Sequence, residues 1–393
     1  MVRSYSGQHP GDSAHMTVTA RAADIPLHDA HQPHGSLAPA NTESRKLDEY
    51  GAFDVLRFAL AATVTLSHVG IFSWSRSGNL AVQVFFALSG WLIGTILYRT
   101  RASELSRFYF NRSTRVWIPY FVCVAALYLV SAAHEPVRSA RWFEFLGYDV
   151  TFTHNWFTLT PNETVALSQM PLHGTGNHFW SLAVEEQFYL VAPLLITLLP
   201  IGRSILVWTC IATIAWITQS NYASISLSVL AVMVTAAYPD WYRGYLSRAA
   251  LMVSLVVAAG VMVMLPGAYS YVAPPCAVAI VLLCAQPLRR SAVTRWLGGV
   301  SFPLYLNAWI GLFVLHALEK HFGIRESPLL LPVEVAFAVG AGALTYHLID
   351  ARVMGRRDAF YRPGIGWAVG VTGYLLIVSG VALWIYCRHG FAI

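Results

Sequence analysis

The chain has 393 residues, 56% of them hydrophobic and only 12% charged, with a mean hydropathy of +0.52. A soluble globular chain carries about 25% charged residues, so this composition excludes an ordinary soluble domain and predicts a polytopic membrane protein. The net charge of +6 reads as a topology signal rather than nucleic-acid affinity, because the arginines gather in alternate connections between apolar runs.

Residues 1–48 are rich in His, Pro, Ala, Ser and Thr and contain no apolar run. They predict a disordered cytoplasmic tail, neither signal peptide nor span. The histidines His9, His15, His28, His31 and His34 fit a solvated, biased tail better than a metal site. About eleven apolar segments follow, several of them short for the roughly 17–25 residues of a bilayer crossing. They run near Ala52–Phe72, Leu80–Tyr98, Val116–Ala133, Phe179–Leu199, Ile205–Gln219, Tyr222–Tyr238, Ala249–Leu265, Tyr271–Ala285, Gly299–Leu318, Leu329–Ile349 and Ile365–Cys387. The expected fold is all-α, a polytopic membrane bundle of about 10–11 transmembrane helices. Residues 49–355 form its main domain and residues 356–393 add a C-terminal helix.

Orientation follows from the basic connections. Arg99, Arg101, Arg107, Arg112 and Arg115 follow the second span, then Arg203, then Arg243 and Arg248, then Arg289, Arg290 and Arg295, and last Arg352, Arg356, Arg357 and Arg362. The positive-inside rule makes these cytoplasmic, with the N-terminus inside and the C-terminus outside. The long connection 134–177 then lies outside. Its Trp142, Phe143, Trp156 and Phe157 predict a folded element against the membrane surface, since structureless loops of this length are uncommon. Cys123, Cys210, Cys276, Cys284 and Cys387 have neither metal-ligand nor paired spacing and read as small packing residues. No metal site is expected.

Arg57, His68, Glu185 and Glu186 lie inside apolar runs. Each costs roughly 2.5–3.5 kcal/mol at the centre of a membrane helix, so they mark a site. Arg57 and His68 are eleven residues apart, which places them on one helix face with roughly 16 Å between them. A cation near the inner end and an imidazole near the outer end suit a long anionic cofactor threaded toward an outer reaction centre. Snorkelling to lipid phosphates competes for Arg57, and an interhelical hydrogen bond competes for His68. Counted from the outer ends of their spans, His68, Ser89 and Glu185 all fall roughly 6–14 Å deep, at a shared level. Adjacent Glu185 and Glu186 project about 100° apart, so one of them faces the site. For Ser89 and Gly90, close helix packing outweighs a nucleophilic role. The same set of intramembrane charges would also suit a proton-coupled transporter, although no matched broken helices appear in the two halves.

Several blocks resemble a known family. FDVLRFALAATVTLSH carries Asp54 and Arg57, with ten residues between Arg57 and His68. VQVFFALSGWLIGTIL carries Phe85, Phe86, Ser89 and Gly90, and RFYFNRSTRVWIPYF is a basic stretch before Pro119. WSLAVEEQFYLVAPLL spans Trp180 to Leu195, and Ser301, Leu304, Tyr305, Leu306, Ile349 and Asp350 follow later. Together these resemble the acyltransferase-3 family of integral membrane O-acyltransferases over residues 50 to about 355. The chain departs from the family at Asn307, Ala308 and Trp309, where many members have Trp-His-Trp. It is also expected to lack the esterase-like outer domain that some relatives append.

The resemblance implies catalysis by His68 with Glu185 and Glu186, and donor binding by Arg57, Arg112 and Arg115. Asp54, Ser89, Gly90, Trp180, Ser181, Gln187 and Tyr189 would support the substrate or the structure. No permanently bound cofactor is implied. The donor would be an acyl-CoA, most often acetyl-CoA, and the acceptor a hydroxyl of a surface or secreted glycan such as lipopolysaccharide or exopolysaccharide. The remaining partners would be the lipids of a bacterial inner membrane, with no nucleic acid.

Overall fold

The computed structural model describes residues 50–134, 139–158, 169–323 and 330–390; the expected tail 1–48, with its histidines, lies outside the described residues. Every apolar run found in the sequence forms a helix. α1 (Gly51–His68), α2 (Ser77–Arg99) and α3 (Leu105–His134) come first. Two short helices, α4 (Ala140–Val150) and α5 (His154–Phe157), precede α6 (Phe179–Ala192). α7 (Ile205–Ile217), α8 (Ala223–Ala237), α9 (Tyr245–Met264) and α10 (Tyr269–Cys284) follow. The long α11 (Ala292–Phe322), α12 (Leu331–Thr345), α13 (Ala351–Phe360) and α14 (Pro363–Gly390) complete the series. No strand occurs among the described residues.

Among the described residues, eight helical stretches are long and apolar enough to cross a membrane, and α7 and α8 are shorter apolar helices. On α9, Met252, Val256 and Met264 are exposed, Val256 by 72%. Water would not tolerate so continuous an apolar surface, whereas lipid requires it. The chain is a multi-pass, all-α membrane bundle.

Packing centres on α2, which touches α1, α6, α8 and α10, while α11 lies against α1 and α12, and α14 against α3. Gly90 explains the closeness of α2 to α8: a Cβ there would sit 2.4 Å from the Ile225 carbonyl oxygen. The packing role weighed for Gly90 is thus the one its surroundings require. Asp54, only 2% exposed, forms a bidentate pair with Arg290, at 2.5 Å to Nε and 2.8 Å to Nη2. That pair ties the start of α1 to the segment before α11, beside the Gly51 amide that donates to the Leu288 carbonyl.

The long connection is folded over its described part. Trp142, Phe145 and Tyr148 of α4 are buried while Phe143 is exposed, the pattern of a helix with one apolar face. Asp149 takes the Tyr128 hydroxyl at 2.6 Å and His154 Nδ1 at 2.5 Å. Gln187 of α6 donates to the Phe152 carbonyl at 2.6 Å and to Asn155 at 2.8 Å, and accepts from the Tyr222 hydroxyl. Gln187 therefore anchors this connection to α6.

Candidate active site

One helix face organises the site. Ser181, Glu185 and Tyr189 stand four residues apart on α6, so all three project to one side. They line a cleft together with Arg57 of α1, Ser89 of α2, Arg112 and Arg115 of α3, and Tyr305 of α11. Arg112 and Arg115 are three residues apart, which puts both on the same side of α3.

The polar groups interlock. Ser89 Oγ donates to Glu185 Oε1 at 2.7 Å and meets the Tyr189 hydroxyl at 3.0 Å, and that hydroxyl donates to Glu185 Oε2 at 3.0 Å. The Arg112 guanidinium lies 4.7 Å from the centre of the Tyr189 ring, an attractive cation–π arrangement. Glu185 is within electrostatic reach of both Arg57 and Arg112, and Arg115 is within reach of Arg57, Arg112 and the buried Asp350. Three cations thus converge on one lining carboxylate, leaving an excess of positive charge for an anion.

Glu186 points elsewhere, accepting from Trp117 Nε1 at 2.6 Å. It does not line the cleft, as the angle between adjacent helical residues requires. Trp180 packs edge-on against Phe86 with ring centres 5.8 Å apart. Ser181 Oγ meets the Tyr305 hydroxyl at 2.5 Å and donates to the His178 carbonyl at 3.1 Å.

The shared level expected for His68, Ser89 and Glu185 is corrected by the helix register. Ser67 sits against Gly78, where an added Cβ would lie 2.4 Å from Ser67 Oγ. Counting away from that contact along antiparallel α1 and α2 brings Arg57 opposite Leu88. Ser89 and Glu185 are therefore level with Arg57, and His68 lies roughly 16 Å further along the axis. The cause is local: Gly70, with φ +74, turns the chain, so α1 stops at His68 although apolar residues continue to Phe72. The cleft accordingly runs from the arginines, past Ser89 and Glu185, to Ser181 and Tyr305, toward the end that carries His68. His68 itself is not among its lining residues.

Sequence reasoning passed over His178, the Asp149–His154 pair and the reach of Asp350 to Arg115. His178 stood two residues before Trp180 and was open to notice. The Asp149–His154 pair closes over five residues within the long connection, whereas the reach of Asp350 to Arg115 depends on a contact between distant segments. Among the described residues, no group of three or more His, Cys, Asp or Glu side chains is placed to hold a metal ion.

The chain is similar in sequence to known proteins. The peptidoglycan O-acetyltransferase OatA of Listeria monocytogenes is 29% identical over 148 residues, 36% of this chain and 23% of that protein. The O-acetyltransferase OatA of Staphylococcus aureus is 31% identical over 153 residues, 37% of this chain and 24% of that protein. The match thus spans about a quarter of the length of these relatives. No solved structure matches significantly. The profile of the family described as an acyltransferase domain matches residues 50–347, the region that contains the whole cleft, and the chain belongs to this acyltransferase-3 family.

Proposed function

We propose that the protein is a membrane O-acetyltransferase that moves an acetyl group from acetyl-CoA to a glycan hydroxyl. The observation that carries this reading is the convergence of Arg57, Arg112 and Arg115 in one intramembrane cleft that leads toward His68. A planar guanidinium binds phosphate oxygens bidentately, so three of them suit the phosphates of coenzyme A. The distance of roughly 16 Å from Arg57 to His68 along α1 suits a donor laid parallel to it, phosphates at the basic end and thioester toward the imidazole.

His68 then serves as general base or receives the acyl group and passes it on. As a base, His68 takes the hydroxyl's proton while the acceptor oxygen bonds to the acyl carbon, the C–S bond breaks and the proton passes to the thiolate. As a carrier, its nitrogen first displaces the thiolate, and the acceptor oxygen then breaks the C–N bond while the hydroxyl's proton passes to the thiolate. The alternating basic connections support a donor entering from the cytoplasm of a bacterial cell and an acceptor on the outer side. A cell-surface glycan is the acceptor class we favour, and peptidoglycan is the one named for the Listeria relative.

The test uses the full chain purified in detergent, with thiol release from acetyl-CoA as the readout. Wild type should consume acetyl-CoA, and His68→Ala should lose roughly 10²–10⁴-fold in rate. Wild-type protein that binds acetyl-CoA but never releases the thiol would end this reading.

A further inference from the structure

Among the described residues no carboxylate hydrogen-bonds to His68: Glu185 is engaged by Ser89 and Tyr189, and Glu186 accepts from Trp117 through one oxygen only. A different titratable group stands toward the His68 end of the bundle. His178 precedes Glu185 by seven residues in a continuous helical path, roughly 10 Å toward the His68 end, and it lies within electrostatic reach of His68.

The surroundings of His178 define its chemistry. Nδ1 lies 3.1 Å from the Thr175 carbonyl oxygen. A carbonyl only accepts, so Nδ1 carries the hydrogen and Nε2 of the neutral ring keeps its lone pair. Nε2 is buried and has no hydrogen-bond partner. The ring is fixed by Phe179, with centres 4.5 Å apart, and by Tyr305 at 5.7 Å, nearly perpendicular. Tyr305 lines the cleft and its hydroxyl donates to the His178 carbonyl at 3.1 Å. The Leu306 carbonyl is also within reach of the ring, so a proton gained at Nε2 would have an acceptor at hand. Native proteins rarely leave a buried acceptor unmet. His178 is not itself among the lining residues of the cleft, but it stands beside the lining Tyr305, and its rigid imidazole has an unused lone pair that lacks only a donor.

We propose that this donor is the acceptor substrate's hydroxyl, and that His178 is a second catalytic imidazole. This rests on the O-acetyltransferase reading and divides its acid–base work. The hydroxyl donates to His178 Nε2, which takes the proton as the oxygen attacks the acyl carbon. The O–C bond forms and the C–S bond breaks. The proton taken by His178 then passes through His68 to the departing thiolate.

The experiment uses the full chain in nanodiscs, with acetyl-CoA as donor and either chitotetraose or water alone as probe acceptor. His178→Ala and His178→Gln should bind acetyl-CoA as wild type does, because the arginines are untouched, yet release thiol roughly 10²-fold more slowly. Added imidazole should restore His178→Ala by about tenfold or more, and methylimidazoles should do so in order of basicity. Glutamine fills the space and keeps a hydrogen-bond acceptor, so its failure to support turnover separates a base from a packing residue. Either variant keeping more than about a third of the wild-type rate, or rescue that ignores basicity, overturns the assignment. Wild type that releases no thiol with either acceptor sinks the O-acetyltransferase reading and this proposal with it. Active wild type with equally active variants sinks this proposal alone.

Discussion

Asp54 stands in the same sequence block as Arg57 and His68, yet its geometry is that of a clamp. Its carboxylate receives two hydrogen bonds from Arg290 at 2.5 and 2.8 Å, and its side chain is 3% exposed against 27% for Arg290. Asp54→Asn keeps the shape but removes the charge, and it turns one of the two contacts into donor facing donor. Charge-assisted bonds contribute about 1.5–3 kcal/mol each, and breaking a fully buried pair costs about 3–5 kcal/mol. Arg290 is partly exposed and recovers some hydration, so we expect a loss of about 2–4 kcal/mol. At about 2 °C per kcal/mol for a chain of this size, thermal denaturation in detergent should fall by about 4–8 °C. Arg290→Gln should cost a similar amount, and the double variant clearly less than the sum, with a coupling above about 1 kcal/mol. Acetyl-CoA binding, measured below the melting range, should survive in all three. A melting point unchanged by Asp54→Asn, or strict additivity in the double variant, would refute the clamp. Loss of donor binding without loss of stability would instead move Asp54 into the substrate site.

Two further outcomes follow from the cleft and from the charge pattern. Arg57→Ala should weaken acetyl-CoA binding in isothermal titration more than Arg57→Lys does, since lysine keeps the charge but loses the planar fork; equal affinity in both variants and wild type would make Arg57 a lipid anchor. For topology, single cysteines can replace the exposed residues Ser103 and Ala140 once the five native cysteines are removed. Position 140 should react with an impermeant maleimide on intact cells and position 103 only after lysis; the reverse pattern would invert the bundle and remove the argument for a cytoplasmic donor.

Helix existence was legible in the sequence because each apolar run must satisfy its own backbone once it enters lipid. That physics is local, so every run between Ala52 and Cys387 reappears as a helix. The family blocks were legible for a related reason. Polar residues inside apolar runs are costly, so Trp180–Leu195 stood out, and the 100° step between neighbours already implied that Glu185 and Glu186 would part.

Depth and partnership were decided by tertiary packing. Counting residues from the edge of an apolar run assumes that the helix ends where apolarity ends. Gly70 breaks α1 short of Ile71 and Phe72, and the Ser67–Gly78 contact then sets Ser89 opposite the Arg57 level. Which carboxylate serves which group is equally nonlocal: Ser89 is 96 residues from Glu185, Trp117 is 69 from Glu186, and Asp54 is 236 from Arg290. Composition and periodicity reveal that a helix has a polar face and what chemistry that face carries. They contain no information on the axial offset between two helices, because that offset is set by how small residues such as Gly78 and Gly90 let particular surfaces approach.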